Sequence, residues 1–560
     1  MLKTKYPSIS LTICVMHLLL LFGLLAAFFS GMRIAAAGSP DSWAAAIDFL
    51  LPLGSVYQWH SWVGISLIFL AFGYIAYLAM SQRWRKYIIS PRNPIYTAEN
   101  LSKLIIWLGW LLLASSLFTG YALYSNAAPH LQHLLRTIHY IAAWSYLSYL
   151  ILHIAALIAE GGWQRLLSIF RPRLMQTRIS LISLGLAAII GVAIVGLGES
   201  AQKDSLTIHY SAQKIDLDGE ARESIWNQIN PTTVNTTKSG EQSLPPLAVN
   251  IRAIHDNHYV YFLISWPDAT QSLKHLPLIK TAEGWKIMQT QATVADENTF
   301  YEDKLALMLS ASSEIAGAGT VHLGAQPLKN QPNPAAQRGL HYTLDGSITD
   351  VWHWKAVRTG LSIGQADDNY FGPPLPSTSE IARYTGGYQK DPDCEHLLRW
   401  ENHDYRVKDE CGGYIMNWEL YEEGIIQPRR LPNNPKQIQH LQTISLSADT
   451  SDKGRWWMRW QDTNPYSTSA DTLPVGSIMP SVLSLGKFSG DRGDIDSGAQ
   501  WRNGSWTLEL KRKLNTGSKF DLAVMDDVYL WLAVFDHSQI RHSYHLHPLR
   551  LVLEDADNNN

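Results

Sequence analysis

The chain has 560 residues, too long for one ordinary domain, and its net charge of -3 gives no basis for nucleic-acid binding. It holds three cysteines, Cys14, Cys394 and Cys411, and no Cys-x-x-Cys-His sequence, which excludes covalent attachment of a c-type haem. Residues 1–198 carry five long apolar runs, whereas residues 199–560 are polar, aromatic-rich and punctuated by turn formers.

The runs cover about residues 9–37, 55–80, 102–124, 133–160 and 179–198. Each is close to or above the roughly 20 residues that span a bilayer, and without water to satisfy backbone groups in lipid they should be helices. Basic residues set the orientation. Lys3 and Lys5 precede the first run, Arg83, Arg85, Lys86 and Arg92 follow the second, and Arg165, Arg171, Arg173 and Arg178 follow the fourth. Connections 38–54 and 125–132 contain no Lys or Arg. The N-terminus is therefore expected in the cytoplasm, and everything after residue 199 on the opposite side. Ala35-Ala36-Ala37-Gly38 also suits a signal-cleavage site, but the run before it is longer than a usual signal core and carries a histidine. A retained helix is expected.

Ionisable residues inside a membrane helix are costly and point to function. His139 and His153 lie fourteen residues apart in the fourth run. Fourteen helical steps return the second side chain to within about 40° of the first and separate the two by about 21 Å along the axis. His17 lies eight residues into the first run from the cytoplasmic side, and His153 seven residues from the cytoplasmic end of the fourth. That places them about 12 and 10 Å deep. His60 and His139 enter from the other side at similar depths. Pairing by depth gives His17 with His153 and His60 with His139, hence two bis-histidine b-type haems, one in each leaflet. His130 and His133, at the outer edge of the fourth run, read as solvated interfacial residues.

His17 with Ser30-Gly31, the segment His60-Ser-Trp-Val-Gly64, and the pair His139/His153 resemble the bacterial di-haem cytochrome b family. That family includes the b-type subunits of nickel-iron hydrogenases and formate dehydrogenases. The resemblance covers roughly residues 8–198. It implies the same ligand pairing, two b haems, exchange of electrons with quinone or quinol, and a multi-pass protein of the bacterial inner membrane.

Residues 199–246 read as a linker and an irregular entry, and residues 247–555 as a periplasmic β-sandwich. Strand candidates are 247–254 and 258–266 around a turn at Asp256-Asn257, then 455–461, 505–514, 528–536 and 549–554. Long loops are expected across 310–440, with the chemistry in them. The tail 556–560 reads as disordered. The fold class is thus an all-α membrane bundle of five helices followed by a mainly-β domain. Cys394 and Cys411 are expected to form a disulfide in an oxidising compartment. No nucleophile–base pair or paired-carboxylate site is evident, so no catalytic residue is assigned.

The segments Tyr301-Glu-Asp-Lys-Leu-Ala-Leu, Asp350-Val-Trp-His-Trp-Lys-Ala and the closing Ala533-Val-Phe-Asp-His-Ser-Gln-Ile-Arg-His542 resemble the haem-binding domain of the ethylbenzene-dehydrogenase gamma-subunit family. The resemblance spans about residues 205–555 and implies a β-sandwich holding one non-covalent b haem. Soluble members use a Met and a Lys as axial ligands, the Lys in the closing segment. This chain has no Lys there, and His542 stands nearest the corresponding place. His322 and His542 are taken as the axial pair, with Met308 and His353 in reserve. Lys304, Trp352 and Trp354 are read as structural.

The reading is a membrane-bound b-type cytochrome linking the quinone pool to a periplasmic redox protein or enzyme through two intramembrane haems and a third outside. Its rivals are a di-haem anchor whose cofactor-free outer domain docks a separate redox enzyme, and a terminal reductase of an external acceptor.

Overall fold

A computed structural model of the chain describes residues 9–38, 47, 49–89, 94, 96–125, 128, 131–170, 172–173, 177–202, 205–238, 245–288, 300–323, 340–374, 387–392, 398–401, 404–407, 412–422, 425–434, 455–539 and 542–555. His130, Cys394, Cys411 and the tail 556–560 lie outside these residues, and so does the expected disulfide. The chain divides into two units, residues 1–36 with 46–203 and residues 37–45 with 204–560.

The first unit is helical. Its helices are α1 (Leu11–Gly38), α2 (Val56–Met80), α3 (Ala98–Tyr124), α4 (Gln132–Leu166) and α5 (Thr177–Gln202). Each contains a stretch long and apolar enough to cross a membrane. Helix α3 starts at Thr97, whose side chain accepts from the Asn100 amide at 3.4 Å and satisfies one of the free N–H groups of the first turn. Helix α4 runs past the expected end, but Gly161 (φ -159°) and Gly162 (φ 64°) break its geometry. The continuous membrane helix therefore stops where the apolar run stops.

Ile13, Met16, Leu20, Leu67, Tyr74, Tyr77 and Leu78 form the buried core between α1 and α2. Ile138, Ile141, Leu147, Ile151 and Leu152 of α4 stay exposed, as lipid-facing residues must in a bundle whose solvent is hydrocarbon. Two buried polar contacts tie the helix ends together: Ser10 Oγ, just before α1, to Tyr77 Oη of α2, and Thr12 Oγ1 of α1 to Ser180 Oγ of α5, both 2.7 Å.

The second unit is built on one large sheet. Its main strands are β1 (Ser205–Tyr210), β2 (Ala248–His255), β3 (Tyr259–Pro267), β4 (Lys304–Ser310), β5 (Val321–His322), β6 (Leu340–His341), β7 (Thr349–Lys355), β8 (Asp367–Phe371), β9 (Tyr388–Lys390), β10 (Asp496–Arg502), β11 (Ser505–Lys513), β12 (Tyr529–Phe535) and β13 (Leu549–Leu553). All but β5 and β6, which pair with each other, follow the order β9-β8-β7-β4-β12-β13-β1-β2-β3-β11-β10. Neighbours are antiparallel except that β1 lies parallel to both β13 and β2.

Inward residues from both halves of this sheet share one core: Leu305, Leu307 and Leu309, Trp352 and Trp354, Phe262, Ile264 and Trp266, Trp506 and Leu508. The Trp266, Trp354 and Trp506 rings pack at 5.0–6.3 Å between centres. Fully burying such large apolar groups contributes about 1.5–3 kcal/mol each. The domain is therefore a β-sandwich, with Trp352 and Trp354 as structural residues inside it.

Two expectations need correction. Residues 205–210 are not linker but an interior strand of the sheet; Leu206 and Ile208 alternate into the core. Among the described residues of 310–440, β5 to β9 and further short strands lie between the loops. The segment Thr349–Lys355 in particular is an interior strand, with Asp350, Trp352 and Trp354 on the core face and Val351, His353 and Lys355 on the opposite, also largely buried face. Its period-two pattern was in the sequence, but its polar residues suggested a loop. The hairpin at 255–259 is as expected: Asn257 takes φ 72°, and Asp256 Oδ1 accepts from the His258 and Tyr259 amides at 2.9 and 2.6 Å.

Candidate functional site

The four membrane histidines meet in two pairs. The rings of His17 on α1 and His153 on α4 lie 6.3 Å apart between centres, inclined by 39°. Those of His60 on α2 and His139 on α4 lie 6.1 Å apart, inclined by 86°. Two imidazoles on opposite sides of one metal, each at a bond of about 2.0 Å, would place their ring centres roughly 6.3 Å apart. The separations fit a bis-histidine iron.

The tautomers fit as well. Ser30 Oγ donates its one proton to the Ala26 carbonyl at 2.7 Å, so toward His60 Nδ1 at 2.9 Å it can only accept. His60 therefore carries its proton on Nδ1 and keeps the Nε2 lone pair for a metal. Thr119 repeats the arrangement: it donates to the Ser115 carbonyl at 2.7 Å and accepts from His139 Nδ1 at 3.0 Å. The Ser116 carbonyl, 3.1 Å from the same nitrogen, can also only accept. Fixing a ligand's tautomer and orientation through its second nitrogen is what a metal-binding imidazole needs.

A glycine follows each hydroxyl. A Cβ on Gly31 would stand 3.2 Å from His60 Cε1, and one on Gly120 would stand 3.0 Å from His139 Cε1. Both positions need the bare backbone for the ring to approach. Ser30-Gly31 belongs to the sequence resemblance; Thr119-Gly120 was missed, although the same small hydroxyl-glycine pair stands in an apolar helix. In the other pair Tyr149 stacks on His153 at 5.5 Å. His133 is exposed.

In the second unit a group of possible donors gathers around the outward face of β4, β7 and β12. Register puts Ala306 beside His353 and Ala533, and Met308 beside Val351 and Trp531. His353 Nδ1 lies 3.5 Å from Tyr388 Oη, while its Nε2 is buried with no hydrogen-bond partner. Burial, then the cations Lys355, Lys304 and Arg358, hold this imidazole well below its usual range, so it is neutral. Phe535 contacts both His353 (5.7 Å) and His542 (4.8 Å). Thr320 Oγ1 lies 3.9 Å from Met308 Sδ.

His322 is placed differently. Its Nε2 lies 2.9 Å from the Tyr342 carbonyl, and its ring stacks on Tyr342 at 4.0 Å. Between the expected partners stands His341, which the sequence reading missed. Burial, then the neighbouring His542 and His322, push it down to about 3, and its Nδ1 has no hydrogen-bond partner. No spacing rule could have singled it out, because the cluster forms only when β5 pairs with β6. Lys304 packs over Phe535 at 4.1 Å and donates to the Gln539 carbonyl at 2.8 Å, in keeping with a structural role.

Residues 223–546, more than half of the chain, match the family model for ethylbenzene dehydrogenase. The chain belongs to the ethylbenzene dehydrogenase family. Residues 8–172 match a second model, prokaryotic cytochrome b561. The chain thus joins a cytochrome b561-type membrane half, which carries b-type haem and transfers electrons, to an ethylbenzene dehydrogenase-type β domain. No curated protein matches the chain. Solved structures similar to it include a family 9 carbohydrate-binding module from Caldicellulosiruptor kristjanssonii. With glucose bound it shows 6% identity, 64% coverage of this chain, 100% of that one, and a TM-score of 0.23. With cellotriose the values are 7%, 63%, 96% and 0.23. Likeness at that level carries no weight for function.

Proposed function

We propose that this protein carries electrons between the quinone pool of a bacterial inner membrane and a redox protein or enzyme on the periplasmic side. The observation that supports it most is the pairing of four membrane histidines at ring separations of 6.3 and 6.1 Å. His17 and His153 would hold one b haem toward the cytoplasm, and His60 and His139 the second toward the periplasm. Bound haem supplies one-electron exchange at its iron. The chain's part is to fix the imidazoles, to keep their protons on the nitrogen away from the metal, and to exclude water.

The outer β domain is proposed to hold a third b haem against the face formed by β4, β7 and β12. His542 is kept as one axial ligand. For the other, His353 is favoured over His322, because His353 presents a buried nitrogen without a partner whereas His322 already meets the Tyr342 carbonyl. His341 and Met308 are the remaining donors near that face.

Haem stoichiometry of the whole protein tests both levels. Three b haems per chain by pyridine haemochrome are expected. Two would remove the outer haem and leave the membrane relay, and fewer than two would overturn the pairing. Reduction of the purified protein by a quinol, monitored at the haem bands, tests the quinone link; no reduction would sink it.

A further inference from the structure

Two groups of three aspartates in the β domain bring carboxylate oxygens within 4.8 Å of one another. They differ in what surrounds them. In the group Asp268, Asp303 and Asp536, the central carboxylate is saturated by N–H donors. Asp303 Oδ2 accepts from the Ser272 amide (2.7 Å) and Trp506 Nε1 (3.1 Å), and Oδ1 from the His537 amide (3.1 Å). That cluster is held by the fold itself.

The second group is Asp350 on β7, Asp368 on β8 and Asp521 in the segment before β12. Asp350 and Asp368 are fully buried, and Asp391, just after β9, is 2% exposed. Neither oxygen of Asp368 has a hydrogen-bond partner, nor does Asp350 Oδ1, while the Asp391 and Asp521 carboxyls lie within hydrogen-bonding reach of each other. A buried acceptor left unmade costs about 1–3 kcal/mol, more when charged. Here Asp350, Asp368 and Asp521 converge from three separate elements, with Asp391 beside Asp521.

One positive charge serves them. Arg512 Nη1 lies 2.5 Å from Asp350 Oδ2 and 3.8 Å from Asp521 Oδ2, its Nη2 donates to the Leu522 carbonyl at 2.6 Å, and its guanidinium sits over Trp352 at 4.4 Å. The remaining donors reach only oxygens already served: the Leu522 amide meets Asp350 Oδ2 at 3.1 Å, and Thr516 Oγ1 meets Asp521 Oδ2 at 2.5 Å. Four carboxylates against one guanidinium leave an uncompensated negative charge in the interior, where an isolated ion is very costly. Either the carboxyls share protons or a cation sits among them. Burial and the neighbouring carboxylates raise the proton affinity of Asp368 and Asp391, for Asp391 with help from its hydrogen bond to Asp521.

We propose that Asp350, Asp368, Asp391 and Asp521 form a calcium site that locks strands β7, β8 and β9 to the segment carrying Asp521. The donor set is all oxygen, anionic and inaccessible to solvent. Calcium takes six to eight such ligands in irregular geometry. Magnesium retains several waters and demands an octahedron, and zinc seeks nitrogen and sulfur. Arg512 stays as the partner of Asp350 beside the ion.

The test uses the full-length protein in detergent, stripped with EGTA and dialysed to equilibrium against radioactive calcium. One saturable equivalent is expected, with a higher unfolding temperature than in EGTA. Asp368→Asn should weaken binding about tenfold or more, while Asp268→Asn, in the other cluster, should leave it unchanged. If Asp368→Asn does not fold, Asp391→Asn replaces it with the same expected loss. Absence of saturable binding by the unmodified protein would overturn the proposal without any variant. So would a folded Asp368→Asn protein that binds as before, or a domain that acid stabilises in EGTA while calcium adds nothing.

Discussion

The Ser30 hydroxyl stands 2.9 Å from His60 Nδ1 and, with its proton given to the Ala26 carbonyl, can only accept there. Thr119 does the same for His139 from another helix. Removing either hydroxyl leaves the histidine in place but loosens the grip on its outer nitrogen. Ser30→Ala and Thr119→Ala should each shift the midpoint potential of the haem proposed at His60 and His139 by about 20–60 mV. The haem of His17 and His153 should not move. Redox titration of the two variants checks this, and equal shifts in both haems would contradict it.

His153→Ala should remove one low-spin haem and leave the reduced spectrum of the His60/His139 haem nearly intact. His139→Ala should do the reverse, since the two histidines share a helix but contact different partners. Loss of both haems from either single variant would show that the pairs are not independent.

The ring planes are inclined by 39° in one pair and by 86° in the other. Near-perpendicular axial imidazoles leave the two iron orbitals that they influence almost degenerate, whereas more aligned rings split them. The oxidised protein should therefore show two low-spin electron paramagnetic resonance signals. The more anisotropic should disappear in His60→Ala and the less anisotropic in His17→Ala.

In the β domain Glu302 is fully buried and accepts from the Val357 and Arg358 amides at 2.6 and 2.9 Å while pairing with the Arg358 side chain. Burial alone would raise its proton affinity, but Arg358 and His275 outweigh burial and hold it well below the usual carboxylate range. Its contribution to stability is thus complete above the unfolded value of about 4.3 and is lost as pH falls through the lower folded value. Glu302→Gln should cost about 3–5 kcal/mol at neutral pH, because it leaves Arg358 buried without its partner. Chemical denaturation at pH 7 and pH 4 checks both size and direction: the gap between variant and parent should narrow in acid.

Tyr414 offers a second titration. Burial raises its phenol, but Lys355 and Arg358 bring it down to about 8. An ultraviolet difference titration should show one phenolate forming near that pH, absent in Tyr414→Phe. Because the folded value lies below the unfolded one of about 10, this group should add stability as pH rises from 8 toward 10.

The membrane half was legible because lipid allows few structures and punishes stray polarity. Length alone gave the five helices, and depth alone gave the two histidine pairs that the rings now form. Thr119 escaped notice because hydroxyls are common and tolerated in such helices. The β domain was harder. The strongest alternations, at 248–267, 505–513 and 529–535, announced strands, and strands they are. The segment 350–356 hid its strand behind Asp350 and Lys355, whose partners, Arg512 and Asp367, are distant in sequence. His341 gained meaning only through its pairing across β5 and β6. Such sites depend on which strands become neighbours, and local pattern does not encode that.

Strand β1 follows directly in sequence after α5, yet one of its two neighbours is β13, the last of the described strands. The sheet thus has a seam sewn from its opposite ends. Until residues 549–553 have been made, β1 has one edge unsatisfied and the core around Leu206 and Leu551 is open. The sheet can close around β1 only after residues 549–553 have been synthesised. Loss of residues 549–553 would then be felt first at β1, more than 300 residues earlier in the sequence.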